Sequence, residues 1–398
     1  MSSRAEVPAD DSADLGLLSP VSAGTASEAI TGDRAVVAAM VRAESALVRA
    51  LVETKLAPAS ATAAAEAIDA ARADVRALAL AATEGGNPVI PLVKQLRAAA
   101  GDDAHWVHFG ATSQDILDTA LMLVGSEVAW RIGSDLTRLA STLANLVEQN
   151  RAVPMVARTL TQQALPTTLG MRASGWLAGV HDAVRVVRTC TTLPISLGGP
   201  VGTTSAYGAD GPAVVEAFAR LLGQRAAVSS WHTRRTPVIG LATALTVAGE
   251  ACGKIAADLL VMSQTEVGEA REAGGGSSSA MAHKANPAQS VLVASAARQL
   301  PALASVIGAS AAAEQERPAG AWHAEWQPLR TMLRLSGGAV EHTTDLVASV
   351  HFDHEAMRRN LDLLVTTLGE DQTWVTSHIE HVDVWIDRVL SQHGEVFK

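Results

Sequence analysis

The chain has 398 residues, is 48% hydrophobic but only 3% aromatic, and carries a formal net charge of −10. That length and apolar share allow two or three domains or one extended helical body, and abundant alanine with few aromatics favours helix over sheet. The acidic balance argues against nucleic acid, and an anionic substrate would need positive charge gathered locally.

Residues 1–30 read as a tail or loosely held arm. A helix is expected from near Asp33, with Val37, Met40, Val41, Leu47, Val48 and Leu51 on one face. After a turn at Pro58, Ser60 is expected to cap an alanine-rich helix running to about Ala82. The run from Glu84 to Pro88 breaks it, and a short helix follows from Ile90 to Ala100. His105 to Gly110 is aromatic and irregular. Thr112 and Ser113 then form the N-cap region of an unusually long helix to about Glu148, with Asp115 in its first turn.

Residues 151–165 read as a loop, and Pro166 opens a long helix to about Leu193. A glycine-rich connection, LGGPVGTTSAYG, precedes a short helix at 211–223. Thr236 and Pro237 make a cap and first turn for a third long helix, to about Glu269. Next comes GGGSSSAMAHKANP, Gly274 to Pro287, where glycines and hydroxyls lead through Lys284 to a fourth long helix ending near Ala313. Such a loop, ending at a helix N-terminus, can close over an anion. The stretch ERPAGAWHAEW at 316–326 reads as a loop before shorter helices. The fold class expected is all-α: an N-terminal helical part (1–110), a central long-helix bundle (111–350) and a C-terminal helical segment (351–398). Long alanine-rich helices offer more apolar face than one small bundle buries, so packing against other subunits is expected.

The chain has five lysines, and one of them, Lys284, stands in the Gly/Ser loop. Cys190 and Cys252 lie in apolar helical surroundings and read as buried thiols of a cytoplasmic protein. The N-terminus has no apolar signal core, and no run is expected to span a membrane. His108, His232, His283 and His323 stand near loops without the spacing of a metal site, so no metal is expected. The hydroxyls of Thr112 and Ser113 serve equally as helix caps or as carboxylate holders, and Arg158 with Thr159 forms a similar polar pair. In the Ser277–Ser279 cluster a serine is a poor base unless amides and an ammonium stabilise its alkoxide, and Lys284 is near enough to contribute.

Three motifs in order then carry a family resemblance. SSSAMAHKANP resembles the SSxMPxKxN signature of the fumarase/aspartase superfamily, and HFGATSQDILDT and RTLTQQALPTTLG resemble its two other signature regions. Within it, GNPVIPL, WVHFGATSQD, LGMRASGWL, WHTRR and ERPAGAWHAEW are similar to the bacterial 3-carboxy-cis,cis-muconate cycloisomerases, with the adenylosuccinate lyases the nearest other branch. The resemblance implies an all-α homotetramer whose active sites draw loops from three subunits, acting on a small polycarboxylate without a cofactor, metal, nucleic acid or membrane. It implies addition or elimination beside a carboxylate through an aci-carboxylate; in the cycloisomerases the product is 4-carboxymuconolactone. By register, Ser278 is the catalytic serine, with Lys284 beside it. Asn87, Thr112, Ser113, Gln114, Thr159, Asn286 and Arg317 fall on substrate-binding positions. The sequence departs at Leu160, a histidine in fumarases and adenylosuccinate lyases, which argues against both activities. Ala282 stands for the loop proline, Ala285 for a frequent arginine, and Thr236–Pro237 for an Asp–Arg pair.

Overall fold

The computed structural model describes residues 16–274, 276, 277, 281 and 284–396. The N-terminal part carries α1 (Ala26–Ile30), α2 (Asp33–Glu53), α3 (Thr62–Ala70), α4 (Val75–Gly85) and α5 (Val89–Ala100). The helix expected from Ser60 to Ala82 is two helices. The Asp74 side chain accepts from the Ala77 amide and starts α4 afresh, while Ser60 lies in a short 3-10 turn and caps nothing. Gly86 ends α4 in the left-handed conformation, as its sequence position suggested.

Five long helices follow: α6 (Ser113–Gln149), α7 (Leu169–Arg188), α9 (Thr236–Met262), α10 (Ala288–Ala309) and α11 (Ala321–Ser349), with the short α8 (Gly211–Leu222) between α7 and α9. They run alternately up and down, so α6, α9 and α11 start at one end, and α7 and α10 at the other. Where a loop was expected after α6, the chain makes a hairpin of β1 (Pro154–Thr159) and β2 (Gln162–Thr168). Pro166 therefore sits in a strand opposite Val156, and the Thr168 hydroxyl caps α7 instead. The tryptophans expected in a loop at 316–326 lie on the first turns of α11, packed edge to face with centroids 4.9 Å apart. Four two-residue strands flank the Gly/Ser stretch: β3 (Ala270–Arg271) pairs with β6 (His351–Phe352), and β4 (Gly276–Ser277) with β5 (Ala285–Asn286). The C-terminal helices α12 (His354–Leu368) and α13 (Gln372–Ile379) bury Leu361, Leu364 and Val375 against Val156 of β1, and α14 (Val382–Val396) lies along α7. Cys190 and Cys252 are buried and unbonded to each other, and burial pushes the Cys252 thiol up to about 12.

Contrary to expectation, α9 and α10 are both long and apolar enough to cross a membrane by length and composition. Half of the apolar window of α9 is buried, but only 28% of that of α10. Val291 and Val306 of α10 are exposed. The cause is the scarcity of charged residues on both helices, which leaves them apolar on most of their circumference.

An ionic triad ties the upper end together. Arg235, the residue before α9, gives two bonds to Asp118 of α6, at 2.7 and 3.0 Å, and bonds of 2.6 to 3.1 Å to Glu325 of α11. Asp118 also accepts from Trp322 Nε1 and Gln114 Nε2, and the guanidinium lies 4.9 Å from the centre of the Trp231 ring. All three charged side chains are buried. Burial raises Glu325 above the usual carboxylate range despite Arg235. Replacing Arg235 by Gln strands two buried carboxylates, so Arg235→Gln is expected to cost about 3–5 kcal/mol, read as a lower calorimetric midpoint.

At the other face, His181 of α7 meets His393 of α14 with 3.1 Å between Nε2 and Nδ1. Burial, and then the neighbouring His393, hold His181 down at about 4 against an ordinary 6.5. Between those pH values the unfolded chain binds the extra proton and the folded one does not, so folded stability drops as pH is lowered through that window and levels off below it. Denaturant titrations from pH 7 to 4 are expected to show a steeper loss in the wild type than in His181→Phe.

Candidate active site

The residues singled out in the sequence fall into two groups at opposite ends of the bundle. At the upper end, Thr112 caps α6, its amide donating to Asp115 Oδ2 at 3.0 Å. Arg317 reaches the same point. Its Nη2 donates to Thr112 Oγ1 at 2.9 Å and to the Pro200 carbonyl at 3.1 Å, and its Nε to Gln114 Oε1 at 3.3 Å. Gln114 is fully buried, with Nε2 on Asp118 and on the His232 carbonyl. It aims Arg317 rather than facing open space. Ser113 is half-buried on the first turn. Asn87 is buried and caps α5 through Oδ1, which accepts from the Val89 and Ile90 amides. A Cβ on Gly86 would lie 3.5 Å from His323 Nε2, so His323 of α11 stands beside the Asn87 turn.

Beneath this group, Asp115 is a buried carboxylate with five donors. Oδ1 accepts from His232 Nε2 at 2.6 Å, the Gly198 amide at 2.7 Å and Ser196 Oγ at 3.2 Å. Oδ2 accepts from the Gly199 and Thr112 amides. The knot fixes the glycine-rich turn that presents the Pro200 carbonyl to Arg317. Gly199 has a positive φ, and a Cβ there would meet the Gly110 carbonyl at 2.9 Å, so this turn demands glycine. Deeper still, His108 Nδ1 lies 2.6 Å from Glu44. Burial opposes its protonation, but the Glu44 carboxylate outweighs burial and raises His108. Sequence reasoning gave Asp115 only as a first-turn acid and passed over Asp118, Arg235 and Glu325. The available signal was two acids three residues apart on an apolar helix, with no exposed face to put them on.

At the lower end, Thr159 is exposed beside the hairpin turn, opposite Gln162. Leu160 and Thr161 at the tip both have positive φ, and Leu160 is 95% exposed. Arg158 is not a surface residue: it forms a two-pronged pair with buried Glu269, at 2.7 and 2.9 Å. Glu269 also accepts from Asn360 Nδ2. Lys284 is exposed, and Asn286 is half-buried on β5 at the edge of a cavity of about 240 Å³ that also touches Gln264, Arg271 and His351. Ser278, His283 and Ala282 lie outside the described residues. The start of α10 differs from expectation. The amides of Gln289 and Ser290 and the Ser290 hydroxyl all donate to the Glu272 carboxylate, at 2.7 to 3.0 Å. The anion at this helix N-terminus is the protein's own side chain, so the helix end is not open to a substrate.

The two groups do not meet within one chain. The 37 residues of α6 separate Thr112 from the hairpin, a span of roughly 55 Å. One end supplies a guanidinium and hydroxyls, the other an ammonium, an amide and a hydroxyl. Each group has the chemistry to hold carboxylates and is a candidate half-site. Among the described residues no cluster of three or more metal-ligating side chains occurs.

A family model described as lyase matches residues 20–301. The chain is 47% identical over 367 residues to a nitrosuccinate lyase from Streptomyces davaonensis, covering 88% of this chain and 77% of that one. It is 39% identical over 356 residues to a 3-carboxy-cis,cis-muconate cycloisomerase from Bradyrhizobium diazoefficiens, covering 87% and 79%. The crystal structure of the 3-carboxy-cis,cis-muconate lactonizing enzyme from Pseudomonas putida superposes with a TM-score of 0.84 at 30% identity, covering 96% of this chain and all of that one. With its long-helix bundle and its three ordered motifs, the chain belongs to the lyase family of the fumarase/aspartase superfamily.

Proposed function

We propose that the enzyme adds to, or eliminates from, the carbon beside a substrate carboxylate, in active sites shared between subunits of a cytoplasmic homotetramer. Ser278 moves the proton at that carbon. The Lys284 ammonium and the Asn286 amide hold the carboxylate as it takes up the second negative charge of the aci-form. Thr159 contributes from a second chain. Thr112, Ser113 and Arg317 hold the remaining carboxylates from a third, with Gln114 and Asn87 setting their positions. The observation that carries this reading is the separation of the two half-sites along α6, which leaves each incomplete alone. The exposed Leu160 at the hairpin tip and the bare apolar face of α10 support an assembly that covers them. In it, residues 111–350 form the shared core, with 1–110 and 351–398 as flanking helical parts.

Two reactions use this chemistry. Lactonisation of 3-carboxy-cis,cis-muconate adds a carboxylate oxygen across a double bond. Elimination from nitrosuccinate takes a proton from the methylene carbon beside one carboxylate, expels nitrite from the adjacent carbon and leaves fumarate. The first is supported by the cycloisomerase-like motifs and the lactonizing enzyme's fold, the second by the 47% identical relative. Purified protein given each substrate separately decides between them, by lactone formation or by nitrite with fumarate. If neither lactone nor nitrite with fumarate forms, the proposal fails. With the active substrate, Ser278→Ala is expected to lower kcat by about 10²–10⁴-fold. Arg317→Gln and Ser278→Ala, each inactive by itself, are expected to regain activity when co-expressed, because some mixed sites draw one intact half from each variant. Failure of complementation would reject the shared site.

A further inference from the structure

A large open depression lies away from both half-sites. It has a volume of about 1770 Å³ and is walled by the start of α2, the break between α3 and α4, and the middle of α11. It contains none of Asn87, Thr112, Gln114, Thr159, Asn286 or Arg317. Six arginines line it: Arg34, Arg42, Arg72, Arg76, Arg330 and Arg334. Four acids, Glu28, Asp33, Asp69 and Asp74, share the lining, so the basin is net basic in a chain of net charge −10.

The acids around it are already committed. Asp33 pairs with Arg330, and Asp69 with Arg49. Asp74 caps α4, and Glu28 accepts from the Gly24 amide. The arginines are less satisfied. Arg42 donates to the Leu222 carbonyl and Arg334 to the Thr31 hydroxyl, both neutral oxygens. Arg34, Arg72 and Arg76 are exposed and stand in no ion pair among the described residues. Six guanidinium groups against four carboxylates leave a net positive lining, and the arginines outside ion pairs repel one another. A ligand with several anionic groups relieves that repulsion and takes two-pronged hydrogen bonds from each fork.

We infer that this basin is a binding site for a small polyanion bearing phosphate or carboxylate groups, distinct from the active site. The ligand bridges Arg72 and Arg76 on one wall to Arg34 and Arg334 on the other. It thereby ties the N-terminal helices to α11, whose first turns carry His323 and Glu325.

Calorimetric titration of the full chain with tripolyphosphate, and in parallel with citrate, tests the site without reference to turnover. At least one probe is expected to bind once per chain, more weakly as salt rises. The stronger of the two identifies the anionic group preferred. The double variant Arg72→Gln/Arg76→Gln, which changes only exposed side chains, is expected to bind at least ~10-fold more weakly. Arg317→Gln is expected to bind as the wild type does. The inference is overturned if neither probe binds, if the double variant binds as tightly as the wild type, or if Arg317→Gln abolishes binding.

Discussion

The buried contact among Arg235, Asp118 and Glu325 is the constraint on which the upper end of the molecule depends. Three long helices and the segment before α9 converge there, and no apolar contact could specify their angular setting so narrowly. A guanidinium fork accepts its carboxylates in few geometries, so α6, α9 and α11 are fixed in rotation as well as in distance. Rotation matters because Thr112 sits just above Asp118 on α6, and Arg317 lies just ahead of Glu325 near the start of α11. The charged knot and the candidate carboxylate holders are consecutive layers of one structure.

Much of this fold was legible because long helices announce themselves by periodicity and by punctuation. Val37 to Leu51, the Thr112 cap and the Gly86 stop all behave as their residue types require. The failures share a cause. In β1 and β2 the strand residues alternate with prolines and glutamines, and the hairpin exists because Val156 is buried by α12 and α13, far away in sequence. At 316–326 glycine and proline mask a helix start that Trp322 and Glu325 stabilise only through Asp118 and Arg235. Tertiary partners decided both, and a linear reading contains no tertiary partners.

The candidate site was legible residue by residue but not as an arrangement. Its motifs name hydroxyls, an ammonium and an arginine, yet nothing in their order says that α6 holds them apart. Supporting groups were harder still. Asp115 looked like a first-turn acid favoured by the helix dipole. In the fold it is the common acceptor for two loops and a histidine.

The bonds from Gln289 and Ser290 to Glu272 have a further meaning. Glu272 immediately precedes the Gly/Ser stretch, and Gln289 follows it, so the segment between them begins and ends at one point. Closing such a ring has an entropy that grows only slowly with the number of residues enclosed. The clasp bears that entropy once, when the chain folds. The start of α10 is thereby anchored through Glu272 itself. A substitution between Glu272 and Gln289 therefore leaves the anchor of α10 in place, so binding and folding are carried by different residues of the same stretch.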